Sequence, residues 1–93
     1  MQREVEIVNE LGLHARPAAE FVRCARDFES EITIQKEGQA YGAKSIIEVL
    51  TANLDCGTRI ELQAIGPDEC EALEQLAALL QKFRDDELHG KET

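Results

Sequence analysis

The chain has 93 residues, which suits one domain with a modest core and no need of covalent staples. Hydrophobic residues make up 43% but aromatics only 4%, so the core must rest on Leu, Ile, Val and Ala. A net charge of −9 argues against nucleic acid or an anionic membrane surface as the main partner.

The charge is unevenly spread. Residues 1–46 hold eight acids and six bases, a net of −2, whereas residues 47–93 hold eleven acids and four bases, a net of −7. The first half therefore has Arg16, Arg23, Arg26 and Lys44 available to meet an acidic partner. Cys24, Cys56 and Cys70 are odd in number and show no CxxC or Cys/His ligand spacing, so no metal site is expected. They read as reduced thiols of a cytoplasmic protein. Glu4 and Glu6 interrupt any apolar run at the N-terminus, so no signal peptide is expected, and no stretch is long enough to span a bilayer.

Residues 3–8 alternate through Glu4, Val5, Glu6 and Ile7, the pattern of a half-buried strand. Gly12-Leu13-His14-Ala15-Arg16-Pro17-Ala18-Ala19 follows and reads as a loop running into a helix. Pro17 fits a first helical turn and disfavours helix at Arg16, so the helix is placed over about 16–28. Ala18, Phe21, Val22, Ala25 and Phe28 share its apolar face, with Cys24 at the edge. His14 thus precedes a helix N-terminus, where unpaired N–H groups favour an anion. Arg16 offers a planar fork matched to phosphate oxygens, and an imidazole is a competent nucleophile near neutral pH. Two readings fit: a phosphorylatable histidine whose phosphoryl oxygens are held by the helix and Arg16, or a loop-to-helix cap beside a solvated arginine. These residues alone favour the cap.

Glu31 to Gln35 alternates again, Lys36-Glu37-Gly38-Gln39 supplies a turn, and Ala40-Tyr41-Gly42 returns as a short strand. Ser45 followed by Glu48 matches a capping box and predicts a short helix over 46–53. Ile46, Ile47, Val49, Leu50, Ala52 and Leu54 are too many apolar residues for one face to bury, so either some are exposed for docking or all pack under nearby loops. Arg59 to Ile65 is the clearest strand. Gly66-Pro67-Asp68 opens a second long helix, with Asp68, Glu69 and Glu71 suited to its positive end and Leu73, Leu76, Ala77, Leu80 and Phe83 as its buried stripe. Residues 84–93 are polar and expected to fray, and no role is expected for His89 there. Alternating strands with helices on one side make an α+β two-layer domain; without the final helix, the order also fits a ferredoxin-like domain.

Gly12-Leu13-His14-Ala15-Arg16-Pro17-Ala18 resembles the active-centre motif of the HPr family, phosphocarriers of the bacterial phosphoenolpyruvate-dependent phosphotransferase system. Lys44-Ser45-Ile46-Ile47 resembles that family's regulatory serine site, at the expected distance downstream, and the resemblance runs from about Glu4 to Phe83. It implies an HPr-like fold of order βαββαβα, with a four-stranded antiparallel sheet and three helices on one face. The domain would span 1–84, with a polar tail over 85–93.

For function, the resemblance implies that the δ1 nitrogen of His14 accepts a phosphoryl group from phosphorylated enzyme I and passes it to an EIIA-type acceptor. Arg16 would stabilise the phosphate. Ala15, Pro17, Ile46, Ile47, Leu50 and Asn53 would meet the partners, and a dedicated HPr kinase/phosphorylase would modify Ser45, although the helix cap alone explains a serine there. No cofactor is implied, and the chain would act as a monomeric carrier rather than an enzyme. Leu11 stands where a polar Ser or Asn is usual, as in the family's nitrogen branch. Asn53 stands where Gly is common, and Glu48 and Cys56 replace a small and often a basic residue. Lys44-Ser45-Ile46 points to the kinase-regulated carbohydrate branch and Asn9-Glu10-Leu11 to the nitrogen branch. Two other classes compete: a regulatory protein of the same fold acting through Ser45 or by docking, and a ferredoxin-like sensor. The second would carry a glycine-rich loop in place of His14-Ala15-Arg16-Pro17.

Overall fold

Seven elements follow in the order β1 (Gln2–Glu6), α1 (Ala15–Arg26), β2 (Glu31–Lys36), β3 (Gln39–Gly42), α2 (Ile46–Thr51), β4 (Arg59–Ile65) and α3 (Glu69–His89). The structure, a computed structural model, describes residues 1–8, 10, 12, 13 and 15–89, the side chains of 87–89 excepted. The strands form one antiparallel sheet in the order β1-β4-β2-β3, with the three helices covering one face. This is the α+β arrangement that the alternating strand patterns imply.

Period-two burial shows why each strand sits as it does. In β4, Ile60, Leu62 and Ala64 are buried, with Arg59 and Ile65 exposed; in β2, Ile32 and Ile34 are buried. Register fixes the polar face: Glu4 lies opposite Glu61, and Glu61 opposite Gln35. At the β2–β3 turn, Glu37 (φ 49°) and Gly38 (φ 82°) both take positive φ, the two-residue hairpin geometry that matches strand twist. Helix α1 buries Ala18, Phe21, Val22 and Ala25, and α3 buries Ala72, Leu73, Leu76, Leu80 and Phe83. Phe28 only half-buries against this core.

Several boundaries differ from the sequence expectations. Strand β1 stops at Glu6, and as an edge strand it half-buries only Val5. Ile7 is fully buried beyond its end, bonded through its N–H to Thr58 O (2.8 Å) and its O to Gly57 N–H (2.7 Å). Helix α1 begins at Ala15, so Pro17 lies inside the first turn, where no intrahelical N–H is lost. It ends at Arg26 in tighter i→i−3 bonds, Asp27 N–H to Cys24 O and Phe28 N–H to Ala25 O. Helix α2 is shorter than 46–53, ending at Thr51.

Helix α3 starts two residues after Pro67 and, instead of fraying at Arg84, runs on to His89; the rest of the expected tail, 90–93, lies outside the described residues. Asp68 serves α3 through its carbonyl, which accepts the Ala72 N–H at 2.9 Å, and its side chain makes a second set of bonds. Its carboxylate accepts the Ser30 hydroxyl and the N–H groups of Glu29 (2.9 Å) and Ser30 (3.0 Å), latching the start of β2 to the start of α3. Gly66 permits that latch, because a Cβ there would lie 2.6 Å from Ser30 Cα.

Candidate functional site

His14 lies outside the described residues, as do Asn9 and Leu11, but the chain on both sides of it is held. Leu13 is buried, and its N–H donates to Leu54 O at 2.9 Å. Gly12 has φ 69°, and a Cβ there would come within 2.7 Å of Leu54 O and 3.0 Å of Asp55 Cα. Only glycine both takes that conformation and allows two backbones so close. After His14, Ala15 and Arg16 are exposed on the first turn of α1 and Pro17 is half-buried. That turn contains no acidic residue, so its own sequence does not neutralise the helix's positive end.

Leu54 follows the end of α2, so the Gly12–Leu13 segment and the C-terminal side of α2 are neighbours. Val49 anchors α2 in the core while Ile47 is 72% and Leu50 45% exposed. Ile46 is partly buried against the core, so the apolar patch expected from Ile46, Ile47 and Leu50 narrows to the last two. Asn53 takes φ 57°, the left-handed turn that asparagine tolerates in place of glycine.

Ser45 is at the other end of α2, a helix of six residues and roughly 9 Å at ~1.5 Å per residue. Its hydroxyl accepts the Glu48 N–H at 3.3 Å, the capping bond expected of it. The reciprocal half of the box is absent from the described bonds: Glu48 Oε1 accepts the Gly42 N–H (2.7 Å), while the Ser45 N–H donates to Gly42 O (3.2 Å).

Arg26, Lys36 and Lys44 each donate to backbone carbonyls around α2 and the end of α1. Arg26 Nε donates to Lys44 O (2.9 Å) and Lys44 Nζ to Phe28 O (2.7 Å); of the cations expected to face a partner, Arg16, Arg23 and Arg26 are exposed and Lys44 is half-buried. Lys36 Nζ donates to Ala52 O (2.7 Å) and Asn53 O (3.0 Å), a cation at the negative end of a helix that has no basic residue in its own last turn. Sequence reading missed Lys36, because nothing local links a strand lysine to a helix end sixteen residues on.

All three cysteines are free thiols. Cys24 is half-buried, and burial, then the charge of Asp27, pushes its thiol up, away from reactivity. Cys56 is exposed with Sγ 3.9 Å from Val8 O. Among the described residues no three His, Cys, Asp or Glu side chains cluster to hold a metal, and no helix is long and apolar enough to cross a membrane.

Comparison with known proteins accounts for this arrangement. The family model described as the phosphotransferase-system HPr component phosphorylation site matches residues 1–82. The phosphocarrier protein HPr of Vibrio cholerae is 42% identical over 88 residues, covering 95% of this chain and 98% of its own. The HPr-like protein Crh of Bacillus subtilis is 44% identical over 82 residues, 88% of this chain and 96% of its own. Among solved structures, HPr-C-His from Thermoanaerobacter tengcongensis superposes with a TM-score of 0.87 at 38% identity, covering 91% of this chain and 96% of that one. The chain therefore belongs to the HPr family of the phosphotransferase system, a family of phosphocarrier proteins rather than catalytic enzymes.

Proposed function

We propose that this chain carries a phosphoryl group on His14, taking it from phosphorylated enzyme I and passing it to an EIIA-type acceptor. The observation that carries the reading is the clamp on the residues before His14: Leu13 buried and bonded to Leu54, with Gly12 packed on the same segment. It fixes the entry to an acid-free helix start. In the forward step the imidazole δ1 nitrogen attacks phosphorus, a nitrogen–phosphorus bond forms, and the donor's bond to that phosphorus breaks. In the return step the acceptor's nucleophile attacks, and His14 leaves as neutral imidazole.

Phosphoryl transfer asks mainly for position and charge stabilisation. The first-turn amides of Ala15 and Arg16 have no acceptor within the helix by position, Pro17 has no N–H to give, and the Arg16 guanidinium adds a full charge. Ala15, Pro17, Ile47, Leu50 and Asn53, with part of Ile46, form the docking face, offered by one copy of the chain in the cytoplasm. Incubation with phosphoenolpyruvate and enzyme I should give an acid-labile label on the wild type and none on His14→Ala. Label persisting in His14→Ala refutes the assignment.

A second reading has its own support in the likeness to Crh and in the Ser45 cap. Phosphorylation of Ser45 by an HPr kinase/phosphorylase adds up to about two negative charges at a helix N-terminus, where they are tolerated. The helix would stay folded while the charge repels an acidic or apolar partner from Ile47. ATP with such a kinase should give an acid-stable adduct that Ser45→Ala abolishes; with no adduct, Ser45 is a cap only.

A further inference from the structure

Helix α3 continues to His89 although its last buried side chain, among the described residues, is Phe83. Arg84 is the first residue past that point, and its Nη1 donates to Val8 O at 3.2 Å, across seventy-six positions of sequence. Val8 stands where β1 has ended and the segment leading to Gly12 and Leu13 begins.

Residues 54–58 hold that segment. Leu54 O takes the Leu13 N–H, Gly57 N–H gives to Ile7 O, Thr58 O takes the Ile7 N–H, and Cys56 Sγ approaches Val8 O at 3.9 Å. Arg84 reaches it out of α3. A thiol is a weak donor at that distance, whereas a guanidinium N–H is charge-assisted and directional. Among the described residues Arg84 is the charge-assisted donor to the Val8 carbonyl, just past the end of β1.

We infer that Arg84 is a positioning residue for the phosphate-carrying loop, acting through the Val8 carbonyl and coupling the end of α3 to the backbone that presents His14. This rests on the carrier reading above. It assigns a task to the stretch of α3 that the core does not use. Because the bond is exposed, losing it should loosen the loop locally while leaving the sheet and helices as they are.

The test compares wild type, Arg84→Ala, Arg84→Lys and Lys82→Ala, the last removing a neighbouring positive charge from α3 without touching Val8. Initial rates of enzyme I-dependent labelling, taken over a range of chain concentrations, should show kcat reduced about fivefold in Arg84→Ala with KM within twofold. Arg84→Lys should recover part of the rate, and Lys82→Ala should match the wild type. Amide exchange of Leu13 and Gly57 should quicken about fivefold in Arg84→Ala, with Leu62 in β4 unchanged. Unaltered kcat, or Leu62 quickening together with Leu13, overturns the inference. If the wild type takes no label, the carrier reading fails by itself, and the anchoring of the loop is decided by the exchange of Leu13 and Gly57 alone.

Discussion

Replacing Gly12 with alanine tests the clamp before His14 most directly. Two costs add. A non-glycine residue at φ 69° pays about 1–2 kcal/mol for the left-handed conformation. The new Cβ also meets Leu54 O at 2.7 Å and Asp55 Cα at 3.0 Å, both backbone atoms that no rotamer change can move aside. Forcing a methyl into packed structure costs about 1–3 kcal/mol. The loop can escape by lifting Leu13 out of the core, which forfeits about 1.5–3 kcal/mol of burial and the bond to Leu54, about 1 kcal/mol. The first route loses about 2–5 kcal/mol and the second about 2.5–4 kcal/mol.

Gly38→Ala separates the two costs, since φ there is 82° but nothing lies within 4 Å of the added Cβ. It should lose only about 1 kcal/mol, the strain being partly offset by a stiffer unfolded chain. In urea unfolding, with m of about 1–3 kcal/mol/M, Gly12→Ala should lower the midpoint by about 1–2 M and by clearly more than Gly38→Ala. Labelling of the folded Gly12→Ala protein should fall as well. Equal midpoint shifts for the two variants would refute the close-approach argument, and a normal labelling rate in Gly12→Ala would detach the clamp from the chemistry.

Ile47→Ser should change stability by less than about 0.5 kcal/mol, as an exposed site, yet raise the KM for enzyme I-dependent labelling; Val49→Ala, one turn position inward, should cost about 2 kcal/mol of stability by denaturant titration. Asp68 is held below the usual carboxylate range first by the Ser30 hydroxyl and then by the Glu29 amide. Its lowered folded pKa means that the latch contributes stability above the unfolded value of ~3.9 and loses it as pH falls through the folded value. Asp68→Ala should therefore be less stable than wild type at pH 6, with the gap closing below about pH 4, and a gap independent of pH would refute the latch. Glu61→Gln removes the like-charge pair with Glu4 directly across β1–β4 and should stabilise the chain by about 0.2–1 kcal/mol at low salt, less at high salt.

Local order was readable in the residues because its causes are local. Period-two burial in β2 and β4, the turn at Glu37-Gly38, the Ser45 cap and the α1 and α3 stripes each depend on neighbours within a few positions. The Gly12–Ala18 string was readable for the same reason: a glycine, a histidine and a proline define a loop entering a helix. Where local reading erred, long-range contacts had prevailed. Asp68 looked like a residue for its own helix alone but also binds Ser30 ahead of β2. Glu48 looked like half of a capping box but takes the Gly42 N–H. Lys44 and Arg26 read only as surface charge, yet each also satisfies a distant backbone carbonyl.

By itself, then, the sequence determined the succession of strands and helices, most of the apolar stripes that pack inward, and the histidine–arginine string where the loop enters α1, because alternation, helical spacing and turn chemistry are written in adjacent residues. Tertiary structure alone decided that Leu54 would hold Leu13, that Lys36 would close α2, that Ile46 would tuck in while Ile47 stayed out, and that Arg84 would reach Val8. Each of these joins groups far apart along the chain, and a buried or crowded backbone group takes whichever donor or acceptor the packed elements bring within reach.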